Sequence, residues 1–171
     1  MLLELDDIRV RDFRRSDAIA IHSIVREKGV LRFMGDWAAN CPSPENFYGF
    51  FNWCQTQKDS TDVQENKRYA VALADTDRPI GMVGMGMEDT INEVEMAYFM
   101  AEAYQRRGYT KRAVLALADW CFRVSDLPYL VLTIDVANEP SCRFAENCGF
   151  TLFERRTPIG HRQPNMESDS Y

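Results

Sequence analysis

Four cationic side chains, Arg106, Arg107, Lys111 and Arg112, surround one glycine in the stretch AYQRRGYTKRAV, residues 103–114. A strand-like run precedes it and an apolar helical pattern follows, so Gly108 falls at a turn that enters a helix. Successive backbone N–H groups at such a turn form a concave donor site. The positive end of the helix dipole reinforces it, and a glycine lets the backbone approach an anion closely. This chemistry suits a phosphate, with the arginines adding charge-assisted bonds. It also suits an ordinary charged first turn facing water. The stretch lacks the further glycines of GxGxxG and the GK[ST] of a P-loop, so dinucleotide binding and nucleotide hydrolysis are poorly supported.

A second set of residues lies some thirty positions on, in NEPSCRFAENCGF (138–150). Asn138 ends a strand pattern, Ser141 sits in a first helical turn and Gly149-Phe150 leads into the next strand. Asn138 as a helix N-cap and Gly149 as a C-cap explain the same residues without a ligand. Glu95, in the strand pattern NEVEMAYFMA, reads as a surface strand residue like Glu93 on the same face.

Other chemistries find little support. The five cysteines show no CxxC spacing, and only His22 and His161 stand beside them. That makes neither a zinc site nor a disulfide framework, and reduced thiols are expected. Cys142 and Cys148 have no histidine nearby in sequence, and there is no GxSxG, so a covalent intermediate is not expected.

The elements that must position these residues follow from periodicity. DIRVRDF (7–13) alternates as a first strand, and RRSDAIAIHSIVREKG (14–29) reads as a helix capped by Ser16 or Asp17 and stopped by Gly29. PSPENFYGFFNWCQTQ (42–57) is a second, unusually aromatic helix. KRYAVALAD (67–75), RPIGMVGMGM (78–87) and NEVEMAYFMA (92–101) are three strands, the first two joined by Asp75-Thr76-Asp77 as hairpin punctuation. A strong amphipathic helix follows, with Val114, Leu117, Ala118, Cys121 and Phe122 on one stripe. YLVLTIDVAN (129–138) is a buried strand, EPSCRFAENCGF a short helix with Pro140 in its first turn, and TLFERR a last strand. Hairpin-linked strands followed by strand–helix–strand–helix–strand imply an α+β domain, a mixed sheet with helices on both faces.

Taken in order, these motifs resemble the GNAT superfamily of acetyl-coenzyme A dependent N-acetyltransferases, in particular the Rim-type branch that acetylates ribosomal-protein N-termini. The family pattern is an acidic strand of the form EIGYWL, a Y-x-x-x-G-Y-A turn, a long helix, a strand, and N-x-x-S-x-x-x-x-x-x-GF. The chain offers Glu95-Met96-Ala97-Tyr98-Phe99-Met100, then Tyr104-Gln105-Arg106-Arg107-Gly108-Tyr109-Thr110, then Asn138, Ser141, Gly149 and Phe150. The early IRVRDFRRSDA also looks like the family's opening strand and helix start.

The resemblance implies one GNAT domain over residues 1–171, with a mixed, mostly antiparallel sheet of six to seven strands, helices on both faces and a splayed cleft between central strands. It implies acetyl-coenzyme A as co-substrate and no metal. The pyrophosphate would lie on the amides from Arg106 to Lys111, with Gln105, Arg106, Arg107, Gly108, Tyr109, Thr110 and Lys111 forming the turn and Arg106 and Lys111 adding side-chain charge. Backbone groups of Tyr98, Phe99 and Met100 would pair with the pantetheine arm like an added strand, and Asn138 would hydrogen-bond it. An amide of Phe99 or Met100 would meet the oxyanion, Glu95 would act as base, and Ser141 would donate to the departing thiolate or simply cap the last helix. Trp37 and Tyr48 are the candidates for acceptor contact; core packing is expected of most other aromatics at 47–53.

Three departures from the family pattern stand out. Thr110 replaces the usual Gly or Ala. Ala145 stands where many relatives carry a tyrosine acid, as is usual in the Rim-type branch. The chain closes on PNMESDSY where the family has an apolar strand, so that strand must be short, completed by a partner chain, or cut off.

Composition sets the outer bounds. A net charge of −6 argues against a nucleic-acid partner and is compatible with a cationic amine acceptor, either a protein N-terminus or a small molecule. There is no basic, apolar leader and no run of ~20 apolar residues, so a soluble cytoplasmic protein is expected, without a membrane partner. The branch often pairs, so a homodimer is expected. A competing reading is a coenzyme A-binding regulatory or interaction module without turnover; a third is a structural domain with no ligand.

Overall fold

A computed structural model describes residues 2–88, 91–156 and the backbone of 168–170. His161 and most of PNMESDSY lie outside them. The chain opens with a hairpin of β1 (Leu2–Leu5) and β2 (Ile8–Arg11), followed by four short helices: α1 (Ala18–Ile24), α2 (Lys28–Phe33), α3 (Gly35–Asn40) and α4 (Asn46–Thr56). Strands β3 (Lys67–Leu73), β4 (Pro79–Glu88) and β5 (Glu93–Met100) follow, then α5 (Tyr109–Val124), β6 (Thr133–Asp135), α6 (Glu139–Asn147), β7 (Glu154–Arg156) and β8 (Ser168–Ser170).

β1 to β5 form one antiparallel sheet in sequence order, and β6, β8 and β7 form a second of three strands. The two meet at one parallel bridge, Glu95 opposite Val131. The fold class is the expected α+β arrangement, with the sheet divided at that bridge. The final strand is short, and it lies between β6 and β7.

Side-chain alternation builds a core on each face. Val94, Met96 and Met100 of β5 join Val83, Met85 and the α5 residues Val114, Leu117 and Cys121 on one face. Phe99 joins Phe13, Ile21, Phe47 and Phe51 under α1–α4 on the other. The α5 stripe holds from Ala113 to Cys121, but Phe122, expected within it, is 46% exposed because eight residues exceed two whole turns.

Two local expectations are corrected. Gly29 does not stop the first helix: the break comes at Glu27, which is extended (φ −61, ψ 139), and Gly29 lies in the first turn of α2. Its N–H donates to Glu102 Oε1 at 2.7 Å, while Glu102 N–H donates to Glu27 Oε2 at 2.5 Å. This exchange ties the α1–α2 junction to the loop after β5. Asp17 stands at the N-cap of α1 without capping it: its carboxylate accepts two bonds from the buried Arg11 guanidinium, at 2.7 and 3.0 Å, and one from Arg14 N–H at 2.8 Å, across the 3₁₀ turn that leads into α1.

Arg11 is 3% and Asp17 2% exposed, so removing one partner strands the other charge away from water. Asp17→Ala is expected to cost about 3 kcal/mol in urea unfolding; a loss below about 1 kcal/mol would show that Asp77, which also accepts from Arg11, carries the pair alone.

Candidate functional site

At the bridge, Val131 N–H donates to Val94 O (3.1 Å) and Met96 N–H donates to Val131 O (2.9 Å). A parallel ladder would continue with Thr133 N–H on Met96 O. Instead Thr133 N–H donates to the Glu95 carboxylate, at 3.2 Å. The Glu95 side chain thus occupies the point where β5 and the following strand part company. Alternation from Met96 turns the backbone groups of Tyr98 and Met100 toward the opening and those of Phe99 toward β4, where Phe99 pairs with Met82. The cleft therefore offers Tyr98 and Met100 amides to a ligand, and the Phe99 amide expected as an alternative points away. Among the described residues the Tyr98 amide has no strand partner, and the Met100 carbonyl is taken by Gln105 Nε2 at 2.9 Å.

Glu95 faces the helical layer of α1–α4, and Arg68 shares that face. Arg68 lies opposite Gly84 and Asn66 lies against Gly86, on the neighbouring strand β4. A Cβ on Gly84 would fall 2.4 Å from both Arg68 Cδ and Lys67 O, and one on Gly86 would fall 2.4 Å from Asn66 Oδ1. The two glycines make a trough through which Arg68 crosses the sheet toward Glu95. Its Nη1 donates to Lys67 O and Met85 O, its Nη2 to Asn66 Oδ1. Burial pushes the guanidinium down from the ordinary arginine value, and the Glu95 carboxylate is the first charge opposing that shift. Arg68 was not a candidate from sequence; the alternate glycines of GMVGMGM are the signal that would have found it, since strand glycines mark close approach by a neighbour.

The opposite face of the opening is closed by Tyr98, whose ring packs on Phe144 of α6 with centroids 4.7 Å apart. Its hydroxyl oxygen is buried and makes no hydrogen bond, and the same is true of Thr133 Oγ1 on the facing strand. Burial pushes the Tyr98 phenol up, the Ser141 side chain pulling in the opposite sense. Asn138 caps α6 by accepting from Ser141 N–H at 3.4 Å, which leaves its amide Nδ2 to donate. Ala145, one turn beyond Ser141, is fully buried. Two orphaned hydroxyls and an unpaired strand amide around one opening are what a narrow, polar, extended ligand would satisfy.

The turn at Gly108 has backbone in the left-handed region at both Arg106 (φ 61) and Gly108 (φ 79, ψ −2). Gly108 is the N-cap of α5, with no side chain capping the first turn and open space where a Cβ would stand. The amides of Tyr109, Thr110 and Lys111 thus head a 16-residue helix without a capping side chain. Arg106 and Arg107 are exposed at its rim, Arg107 5.5 Å from the Tyr104 ring. Lys111 and Arg112 are engaged elsewhere: Lys111 Nζ donates to Asn147 O at 2.5 Å, and Arg112 to Leu5 O and Asp7. The expected charge from Lys111 is thus directed at the last turn of α6.

On the acceptor side expected from sequence, Trp37 is half-buried with its ring centroid 5.0 Å from Phe50 and 5.0 Å from Phe99. It reaches β5 two residues from Ala97, on the face that carries Glu95. Tyr48 is half-buried under the Arg15 guanidinium, which lies 4.0 Å from its ring. Phe47 and Phe51 are core residues, as their helical spacing implies.

A cavity of about 580 Å³ lies beside Glu93, Phe122 and Tyr129; Val131 of the bridge and Gly149 and Phe150 line it, but none of the residues expected to hold the co-substrate or the acceptor does. Among the described residues no cluster of three or more His, Cys, Asp or Glu could hold a metal ion, and no helix is long and apolar enough to cross a membrane. Cys54 is buried and its thiol pushed up to about 12, chiefly by desolvation, which keeps it unreactive.

Against known proteins, the family model described as "Acetyltransferase (GNAT) domain" matches residues 7–151. No curated protein matches the sequence. Among solved structures, a GNAT-family acetyltransferase from Bacillus anthracis is 18% identical with a TM-score of 0.78, covering 100% of this chain and 96% of its own. RimL, a ribosomal L7/L12 α-N-protein acetyltransferase solved in complex with coenzyme A, is 18% identical with a TM-score of 0.80, covering 100% and 96%. A chimera of spermidine N-acetyltransferase SpeG from Vibrio cholerae is 18% identical with a TM-score of 0.72, covering 96% and 93%. At these identities the likeness is one of fold.

The trough carries its own test. Gly84→Ala would press a methyl group against the Lys67 carbonyl, which cannot move as a flexible side chain can. A loss of about 1–3 kcal/mol in chemical unfolding is expected; an unchanged midpoint would show that β3 and β4 are farther apart than described.

Proposed function

The chain belongs to the GNAT acetyltransferase family, and we propose that it transfers the acetyl group of acetyl-coenzyme A directly to a primary amine, both substrates being bound together in one domain. The observation that carries this reading is the interrupted ladder at Met96 and Thr133. It puts a carboxylate, Glu95, at the mouth of an opening whose edge presents strand amides.

The residues present fit the co-substrate. The amides of Tyr109, Thr110 and Lys111 and the exposed Arg106 and Arg107 would hold its phosphates, with Gly108 giving the close approach that an unbranched backbone allows. The Tyr98 backbone, the Met100 amide and Asn138 Nδ2 would hold its extended arm, while Gln105 ties the start of the phosphate turn to the Met100 carbonyl. When bound, the thioester supplies the electrophilic carbonyl. The N–H of Tyr98 or Met100 is the donor available to that carbonyl's oxygen. Glu95 takes the amine's proton, directly or through water. Ser141 meets the departing sulphur from the first turn of α6.

The acceptor must be neutral to attack. An α-amine, pKa ~8, is partly neutral at pH 7, whereas a lysine-type amine, pKa ~10.4, is almost wholly protonated and needs a base more. RimL acts on a ribosomal protein's α-amine and SpeG on spermidine; for this chain a protein N-terminus and a small amine both fit a carboxylate-lined opening. A homodimer fits the exposed Leu152 and Phe153 beside β7. One observation favours a second reading, a coenzyme A-binding module without turnover: position 145 is a buried alanine and offers no hydroxyl to the reaction.

The test is thermal. Acetyl-coenzyme A at ~100 times its dissociation constant should add about 2.7 kcal/mol of stability, and Gly108→Asp, which puts a side chain and a negative charge into the turn, should abolish the gain. No gain in the native protein would sink the reading. Free thiol released on adding an amine panel separates the enzyme from the silent module. With an active acceptor, Glu95→Gln should lower kcat by ~10²–10⁴; an unchanged kcat would remove Glu95 as the base.

A further inference from the structure

Buried hydroxyl groups are normally hydrogen-bonded, and one left alone lowers stability relative to a plain apolar group of the same shape. Tyr98 carries such a hydroxyl. Its ring is fixed against Phe144 of α6, its backbone faces the opening beyond the Glu95–Val131 bridge, and its polar neighbours are the Ser141 hydroxyl and the thiols of Cys142 and Cys148. One turn along α6 from Ser141 stand Phe144, on which the ring packs, and Ala145, and neither side chain has a polar atom to offer. A group that costs stability in the empty protein, aimed at the residue that meets the leaving sulphur, is preorganised for a bound partner.

We propose that Tyr98 is a positioning residue for the leaving group: its O–H donates to Ser141 Oγ, which turns the Ser141 O–H onto the sulphur of coenzyme A. This rests on the acetyl-transfer reading above. The direction of the bonds follows from the thiolate, which can only accept: with the Ser141 O–H turned onto it, Ser141 Oγ is left to accept from the Tyr98 O–H. A thiol of ordinary pKa ~8.5 is a stronger acid than a phenol of ~10, and burial raises the Tyr98 phenol further. Tyr98 therefore stays protonated throughout and is a donor of a hydrogen bond, never of the proton itself. In the transfer, the amine nitrogen bonds to the acetyl carbon and its proton passes to Glu95. The carbon–sulphur bond breaks with its electron pair on sulphur, and the resulting thiolate is met by the Ser141 O–H. In the empty protein the Tyr98 hydroxyl has no partner at hydrogen-bonding geometry; catalytic hydrogen bonds commonly tighten only when substrate is bound.

Tyr98→Phe removes the oxygen and keeps the ring against Phe144. The melting temperature of the empty protein is expected to stay the same or rise. Affinity for coenzyme A, measured by calorimetry above the thiol's pKa, should fall ~10-fold, a typical loss for a bond to a charged group. Affinity for desulfo-coenzyme A, which lacks the sulphur, should be unchanged. With an active acceptor, kcat should fall ~10–100-fold with KM for acetyl-coenzyme A little altered. Ser141→Ala should cost as much, and the double variant no more, since the two act as a unit. A lower melting temperature with equal weakening of both ligands would make Tyr98 a packing residue and overturn the inference, as would a variant that discriminates nothing. If the native protein binds neither ligand, the acetyl-transfer reading fails and takes this one with it; if it binds both and only the sulphur discrimination is missing, this one fails alone.

Discussion

The structure turns on one hydrogen bond that a continuous sheet would not make. Thr133 N–H, due to donate to Met96 O, donates to the Glu95 carboxylate instead. A strand amide cannot be left unpaired in a protein interior without a cost of about 1–3 kcal/mol, and a side chain of the neighbouring strand takes it. With the amide so satisfied, the strands can separate, and the Tyr98 amide is freed from the ladder. A single carboxylate thereby both holds the split open and stands in it.

The sheet divides the work by face. Odd-numbered residues of β5 look toward α1–α4, so Glu95 shares a surface with the aromatic layer of Trp37, Phe50 and Phe99 and with Arg68. Even-numbered residues look toward α5 and α6, so Tyr98 meets Phe144 and Ser141. Two small-residue features make this arrangement fit: the Gly84–Gly86 trough, which lets Arg68 across, and Ala145, which lets α6 sit close. The surrounding frame is held by charge. Arg11 with Asp17 and Asp77 fixes the entry to α1, and the Glu27–Glu102 exchange fixes the α1–α2 junction to the loop that leads to Gly108.

Much of this was legible in the sequence where the signal is local. The α5 stripe, the hairpin at Asp75–Asp77, the Gly108 turn and the Asn138 cap depend on residues a few positions apart, and periodicity or cap chemistry reads them directly. Reading failed where a distant partner decides. Gly29 looked like a helix stop, but the Glu102 carboxylate, 73 residues on, binds its amide. Asp17 looked like the cap of one long helix, but its carboxylate is shared by Arg11 and the Arg14 amide before α1 begins. The bond from the Lys111 ammonium to the end of α6, 36 residues on, is likewise set by a distant partner. Arg68 and Tyr98 are neighbours of Glu95 and Ser141 only through strand register and the packing of α6, neither of which a single sequence displays.

Amide hydrogen exchange with saturating coenzyme A reaches the interrupted ladder most directly. Bound ligand should slow exchange at Tyr98 and Met100 and at Tyr109, Thr110 and Lys111, while the amides of Ala97 and Phe99, already turned toward β4, change little. Protection confined to other parts of the chain, or absent at Tyr98 and Met100, would contradict the opening beyond Glu95 as the ligand's seat.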